Sequence, residues 1–290
     1  MTDPFVTHRS LLFTVAYEML GSAADAEDVV QETWLRWVDV DQDQVRDPRA
    51  YLVRVVTRQA LNRIRTMARR REDYVGEWLP EPLLTSPDVA DDVVLAESLS
   101  MAMLTVLETL GPTERAVFVL REVFETPYEE IAEALGKTAA AVRQITHRAR
   151  SHVAARRPRV QVSPAEQQAV VERLLSVLDS GDIQALLDIL APDVVLVADG
   201  GGEVAAARQP VEGADRVANF LSGFARVAPD ADLRIVWLNG AAAVRVDLDG
   251  ELNTAVSLVV EDGRITRIYA VRNPKKLTRL EEELPLSRSR

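Results

Sequence analysis

The chain's 290 residues are enough for two or more domains, and 47% hydrophobic with 27% charged residues is the composition of a globular protein. It has no cysteine, which excludes disulfides and thiolate metal sites; no stretch is long and apolar enough to span a bilayer, and the start MTDPFVTHRS lacks a signal-peptide pattern, so a cytoplasmic location without membrane contact is expected. The formal net charge of −11 argues against nucleic acid until its distribution is read.

Residues 1–73 read as helices. Leu11, Leu12, Val15, Ala16, Met19 and Leu20 recur at helical spacing, and Gly21 ends the run. A second helix is predicted from Asp25 to about Val38. Asp47-Pro48 is a start signal, an acid at the N-cap and proline at N1. The helix it opens carries Tyr51, Leu52, Val55, Val56, Leu61 and Ile64 on its apolar side. From Arg49 to Arg71 it holds eight arginines and no acid.

Residues 74–96 contain three prolines and many acids and read as a linker, with helices resuming at about Asp91. Tyr74 to Glu114 carries eight acids and no Lys or Arg. The segment from about Pro112 to Arg157 has the pattern of a helix-turn-helix. Thr126-Pro127-Tyr128-Glu129 is a capping box, Ile131, Ala132 and Leu135 face inward, and Gly136 ends the first helix. Thr138 caps the second, which buries Val142, Ile145 and Ala149. Lys137 to Arg159 is again rich in arginine and free of acids. Two basic helical segments around an acidic linker suit a protein that touches DNA at two places; the plainer alternative is two solvated helix faces.

After Arg159 the character changes. Ser163-Pro164-Ala165-Glu166 opens a helix to about Ser180, and Gly181-Asp182 starts another. Strand-like stretches follow at Val194–Val197, Leu233–Leu238, Ala242–Asp247, Thr254–Val260 and Ile265–Val271, with a helix at Gly213–Val227. Asn239-Gly240, Asp249-Gly250 and Asp262-Gly263 are hairpin turns. The expectation is an α+β domain with helices first and then a curved antiparallel sheet.

In a helix-turn-helix the second helix enters the major groove with its N-terminal part against base edges. Arg143 and Gln144 lie in its first turns, where they can pair with guanine or adenine, and His147 follows one turn on. Thr138 stands at its start. Arg148, Arg150, Arg156 and Arg157 are placed for phosphates, which give affinity rather than sequence choice.

Taken together, the helical segments resemble a known family. Asp25-Ala26-Glu27-Asp28-Val29-Val30-Gln31-Glu32-Thr33-Trp34-Leu35-Arg36-Trp37 resembles the polymerase-binding helix of bacterial extracytoplasmic-function sigma factors. Asp47-Pro48-Arg49-Ala50-Tyr51-Leu52 and the arginine-rich helix after it resemble their promoter-melting, −10-reading segment, and Leu110-Gly111-Pro112-Thr113-Glu114-Arg115 through Arg150 their −35-reading domain. The resemblance implies a sigma region 2 over 1–73, the linker over 74–96 and a sigma region 4 over 97–158. It implies core RNA polymerase and promoter DNA as partners. Asp25, Asp28, Gln31, Glu32 and Trp34 would bind polymerase, although Trp34 and Trp37 read on composition as core. Arg49, Arg54, Arg58, Asn62, Arg63 and Arg65 would face phosphates or bases taken out of the stack.

The remainder, 163–290, resembles the SnoaL-like, NTF2-like cone domain fused to SigJ-type sigma factors, on three motifs. These are Glu77-Trp78-Leu79-Pro80-Glu81-Pro82, Asp199-Gly200-Gly201-Gly202 and Asn273-Pro274-Lys275-Lys276-Leu277. The resemblance implies that Trp78, Leu79, Pro80, Asp199, Gly200, Gly201, Gly202, Asn273, Pro274 and Leu277 meet in one regulatory interface. Where the family's second motif ends in Lys this chain has Glu203, and where the third has an acid it has Lys275. If the two positions meet, their charges have been exchanged.

Relatives of the cone fold include isomerases and cyclases that use acid pairs. This domain has Asp193, Asp199 and Glu203 but no histidine, and Asp199 before three glycines reads equally as a turn or an interface residue. The expected protein is a promoter-specificity subunit with no catalytic site and no cofactor; a ligand in the cone is possible but not indicated. The alternatives are a SnoaL-like isomerase or cyclase with an attached DNA-binding domain, and a helix-turn-helix repressor that works without polymerase.

Overall fold

A computed structural model describes residues 3–72, 74–157 and 162–288, with residues 68–72 as backbone only. The side chains of Arg69 to Arg71, and Arg159, lie outside the described residues.

Helix α1 (Pro4–Leu20) starts on Asp3, whose carboxylate accepts from Phe5 N at 2.8 Å, and stops at Gly21 with φ 66°. Its second half is buried on all sides, Leu11 through Leu20, so it is the central post of the N-terminal unit rather than a surface helix. Helix α2 (Ala23–Val38) is capped by Ser22 and α3 (Pro48–Glu72) by Asp47, whose side chain accepts from Ala50 N at 3.0 Å. Both pack on α1.

The linker, whose prolines and acids read as an ordered or semi-ordered connection, is ordered and partly buried: Leu79, Leu83 and Thr85 are each about 1% exposed. It passes through a 3-10 turn at Pro87–Asp91 into α4 (Val93–Leu99) and α5 (Met101–Leu107). Next come α6 (Pro112–Phe118) and a π-helical turn at Val119–Val123. Helix α7 (Tyr128–Leu135) and α8 (Ala139–Ala154) form the helix-turn-helix around Gly136 (φ 62°). Thr138 caps α8 as expected, accepting from Ala141 N at 3.2 Å. The expected capping box at α7 does not form. Pro127 is the cap residue, no side chain caps the helix, and Glu129 instead pairs with Arg143 at 3.1 Å. One continuous apolar cluster runs from Phe5 in α1 to Val153 in α8, so the two helical units share a core.

The C-terminal unit comprises α9 (Pro164–Ser180), α10 (Ile183–Ile189), β1 (Leu190–Asp199), β2 (Val211–Glu212) and α11 (Ala214–Val227). It continues with β3 (Asp232–Leu238), β4 (Ala241–Leu248), β5 (Glu251–Glu261), β6 (Arg264–Val271) and α12 (Pro274–Leu277). The strand order is β2-β1-β6-β5-β4-β3. The sheet is mixed rather than wholly antiparallel, because β1 pairs in parallel with β6. Chain running out of α10 enters β1 at the end where β6 begins, as the pairing of Leu190 with Ile265 shows. The three hairpin turns have φ between 50° and 53° at Asn239, Asp249 and Asp262 and between 70° and 82° at the following glycines, the twist that two-residue hairpins require. Irregularities after Val246 and Val259 bend the sheet. Helices α9, α10 and α11 cover one face. The other face, with Leu238, Ala243, Ala255, Tyr269 and Val271, is covered by Leu79, Met101, Leu277 and Leu280. The linker is therefore a layer of the structure, held between the helical units and the sheet.

Candidate nucleic-acid interface and its junction with the C-terminal domain

Helix α8 presents Arg143, Gln144, His147, Arg148 and Arg150 to solvent, with Val142, Ile145, Thr146 and Ala149 turned inward. Its arginines are tethered lightly: Arg143 to Glu129 at 3.1 Å, Arg150 to Glu122 at 2.8 Å and Arg148 to Glu114 at 3.8 Å. Exposed pairs of this kind are worth about 0–1 kcal/mol, so phosphates can displace them. Arg143 also stands 5.3 Å from the Tyr128 ring, which Arg121 approaches from 4.6 Å.

The arginines of α3 are in a different state. Arg58 donates from Nε to the carbonyl of Ala134 at 2.8 Å and from Nη2 to that of Glu133 at 2.9 Å. Arg54 pairs with the Glu133 carboxylate. These acceptors lie in the last turn of α7, where helix carbonyls are unsatisfied and the dipole is negative. Arg63 binds Asp25 at 2.5 Å and Asp28 at 2.6 Å on α2. Arg49 is half-buried, while Asn62 and Arg65 are exposed.

On α2 the exposed face carries Asp28, Gln31, Glu32, Trp34, Leu35 and Val38. Trp37 is core, 1% exposed, and its indole donates to Asp3 at 3.0 Å. Trp34 departs from the composition reading: it is 44% exposed, next to Leu35 at 58% and one turn from Val38 at 53%. That apolar strip beside acids is free for a partner.

The three short motifs come together on one carboxylate. Asp199, fully buried, accepts from Tyr74 Oη at 2.5 Å, Leu79 N at 2.9 Å, Gly201 N at 3.0 Å and Lys276 Nζ at 2.7 Å. Lys276 also donates to Leu79 O at 2.5 Å and stands 4.1 Å from the Trp78 ring, a cation–π distance. Asn273 donates to Tyr74 Oη at 2.8 Å and caps α12 through Lys275 N at 3.0 Å. Burial, and then the Asp199 charge, push the Tyr74 phenol up, so it remains a donor. The glycines are required by contact. A Cβ on Gly201 (φ 63°) would lie 2.3 Å from the Asn273 amide, and one on Gly200 would lie 2.5 Å from Val204 O. Leu79, Pro80 and Leu277 are buried here; Pro274 is exposed and serves as N1 of α12. Glu203 and Lys275 form an ion pair on the rim, so these two positions do meet.

The junction has a second half that the motifs did not announce. Glu81 accepts from Ala23 N at 2.8 Å, Ala24 N at 3.3 Å and Ser22 Oγ at 3.2 Å at the N-terminus of α2, a favourable place for a carboxylate. Burial raises the Glu81 carboxyl pKa against these donors. Tyr17 donates to the Glu81 carbonyl at 2.6 Å and accepts from Asn239 Nδ2 at 2.7 Å; Asn239 in turn accepts from Leu83 N at 3.0 Å. One chain of bonds thus joins α1, the linker and the β3–β4 turn. Below it Arg115 donates to the Glu18 carbonyl at 2.9 Å and pairs with Glu108. Burial pushes the Glu18 carboxyl up to about 8, opposed by Ser98 and Arg115, and pulls the Arg115 guanidinium down to about 9. Trp78 reaches this cluster: a Cβ on Gly21 would meet Glu108, Trp78 and Arg115 within 3.5 Å.

The carboxylates weighed for catalysis do not converge. Asp199 is consumed by the junction, Glu203 by Lys275, and Asp193 is exposed at the start of β1. The space between sheet and helices is filled by Val170, Val171, Leu174, Leu196, Val217, Val244 and Ile268. A cleft of about 580 Å³ opens at its mouth beside Leu175, Leu221, Phe224 and Leu233, and Asp179 is the one carboxylate among the described residues that line it.

Comparison with known proteins gives three family matches in order. They are Sigma-70 region 2 over residues 5–71, Sigma-70 region 4 over 100–153 and a SnoaL-like domain over 171–268. The chain is 38% identical over 288 residues to the ECF RNA polymerase sigma factor SigJ of Mycobacterium tuberculosis, covering 94% of this chain and 92% of that protein. It is 34% identical over 282 residues to the probable ECF RNA polymerase sigma factor SigI of the same species, covering 96% and 94%. The crystal structure of M. tuberculosis SigJ superposes with a TM-score of 0.77 at 34% identity, over 95% of this chain and 98% of that one.

Proposed function

Because the chain belongs to the extracytoplasmic-function sigma factors of RNA polymerase, with a SnoaL-like domain fused at its C-terminus, we propose that the fused domain governs how the two DNA-binding units of this transcription initiation factor are presented to the promoter. Region 2 comprises α1–α3 over 1–73, region 4 lies within 97–158 and the fused domain runs from 163 to 290. In this reading the α2 face with Asp28, Gln31, Glu32 and Trp34 docks on core polymerase. Helix α3, through Arg49, Arg54, Arg58, Asn62, Arg63 and Arg65, meets the −10 element. Helix α8, through Arg143, Gln144 and His147, meets the −35 element, with Thr138, Arg148 and Arg150 on the backbone. The protein supplies recognition and duplex opening; bond-making stays with the polymerase.

The observation that carries the regulatory part is the Asp199 junction. Tyr74, Trp78 and Leu79, in the linker between the DNA-binding units, are bound by the C-terminal domain through a buried Asp199–Lys276 pair. Elements centred at −10 and −35 lie about 25 base pairs, roughly 85 Å of duplex, apart. Here α3 touches α7 through Arg58. A factor in this closed arrangement is poorly placed to engage both elements, so domain separation accompanies promoter binding, and the junction sets its cost. Replacing Trp78 by Ala and measuring promoter-specific transcription with purified core polymerase tests this; unchanged transcription with unchanged domain contacts would overturn it.

A further inference from the structure

After α12 the chain leaves its own domain. Leu280 closes the apolar layer over the sheet, and residues 281–288 then cross back to the DNA-binding units. Leu284 N donates to the Leu84 carbonyl of the linker at 3.0 Å. Leu284 and Leu286 pack against the core shared by regions 2 and 4. Ser287 N donates at 3.1 Å to Thr14 Oγ1 in the middle of α1. The Thr14 hydroxyl proton is already given to Ser10 O at 2.7 Å, so a lone pair is what it offers outward, and the tail supplies the matching N–H. Thr14 is fully buried beneath this segment. Arg288 then binds Asp92, the cap of α4, at 2.7 Å and approaches Glu125 at 3.7 Å. Glu125 stands at φ 53° in the turn that leads into α7.

We propose that residues 281–288 are an intramolecular clasp: they pin region 2, the linker and region 4 together through contacts separate from those of Asp199, and their release lets the two DNA-binding units part. The contacts reach all three units: Thr14 in region 2, Leu84 and Asp92 in the linker, and Glu125 in region 4. The clasp is built to be displaced. Leu284 and Leu286 are half-buried, and the Arg288 pairs are partly solvated, with Glu125 largely exposed. The significance of the clasp for initiation rests on the reading that the two units must separate on the promoter.

The absence of cysteine makes the test direct, since introduced thiols are the sole labelling sites. Spin labels at Asp43→Cys and Ser151→Cys, both exposed, report the distance between regions 2 and 4 in the full chain and in a chain ending at Leu280. The full-length Leu284→Asp/Leu286→Asp variant guards against a truncation artefact. The clasp predicts one narrow distance distribution for the parent. It predicts a broader, longer one for both variants, and return toward the narrow form when a peptide of residues 281–290 is added to the truncated chain. A narrow distribution unchanged in both variants overturns it. Run-off transcription on the unlabelled variants separates the two ideas. Opening without any change in transcription upholds the clasp and sinks the reading that separation controls initiation.

Discussion

Arg58 of α3 and Ala134 of α7 are joined by a 2.8 Å hydrogen bond from guanidinium to carbonyl, with Glu133 O accepting at 2.9 Å and the Glu133 carboxylate holding Arg54. Two arginines proposed for the −10 element thus cap the first helix of the −35 reader. DNA must compete with α7 for them. Glu133→Gln removes the charged part of that competition, about 0.3–1 kcal/mol for so exposed a pair. We expect free protein to bind a promoter duplex about two- to fivefold more tightly, read by fluorescence anisotropy at fixed salt. Unchanged or weaker binding would show that the contact does not mask the arginines.

Asp199 and Lys276 predict non-additive energetics. Asp199→Asn leaves a largely buried ammonium without its counter-charge and should cost about 3 kcal/mol in urea unfolding. Lys276→Met leaves the carboxylate with three donors and should cost somewhat less. The double variant should be more stable than the sum of the single losses implies, since a neutral pair needs no charge compensation. Simple additivity would deny the pair its place at the centre of the junction.

Gly201→Ala is expected to weaken the same junction from its other side. Its Cβ would sit 2.3 Å from the Asn273 amide at a φ of 63°, so loop and amide must both shift. A loss of about 1–3 kcal/mol is predicted. Ala at Gly263, where φ is 70° but nothing lies within 4 Å, should cost less. The difference between the two isolates the contact from the backbone strain.

Glu18 gives the pH dependence. Its carboxyl is held near 8 in the folded chain against an ordinary value near 4.5, so the folded state binds more protons between those limits. Stability from this group is therefore fully present below about 4.5 and is lost as pH rises through 8. Glu18→Gln should flatten stability against pH over that window and gain about 1–2 kcal/mol at pH 8. Chemical unfolding at several pH values checks it; a slope the variant leaves untouched would mean that Glu18 is ionised in the fold.

What could be read from the residues follows the range of the forces involved. Gly21, Asp47-Pro48, Thr138 and the three hairpin dipeptides act within four residues, and each marks its element's end in the structure. The motifs at Trp78, Asp199 and Asn273 were legible as a set only through their resemblance to a family. The role of Lys276 as the partner of Asp199, and the second half of the junction, were not. Glu81 lay inside a recognised motif, yet its task at the α2 N-terminus depends on a partner 58 residues away. Asn239 announced a turn and also bonds Tyr17, 222 residues distant. The parallel pairing of β1 with β6, the Arg58 cap on α7 and the return of the tail to Thr14 are likewise tertiary facts with no local signature. Trp34 misled for the opposite reason. Its aromatic side chain suggests core, whereas it stands 44% exposed on a face of α2 that no other element covers.

As a polymerase-bound initiation factor, this chain is proposed to act on promoters under the control its C-terminal domain exerts through the linker. Run-off transcription with purified core polymerase, comparing the full chain, Trp78→Ala and a chain ending near Val160, measures that control. Specific initiation by the full chain and an altered promoter-specific yield from both variants are expected. Failure of the full chain to support specific initiation under any condition, or identical yields from all three, would contradict it.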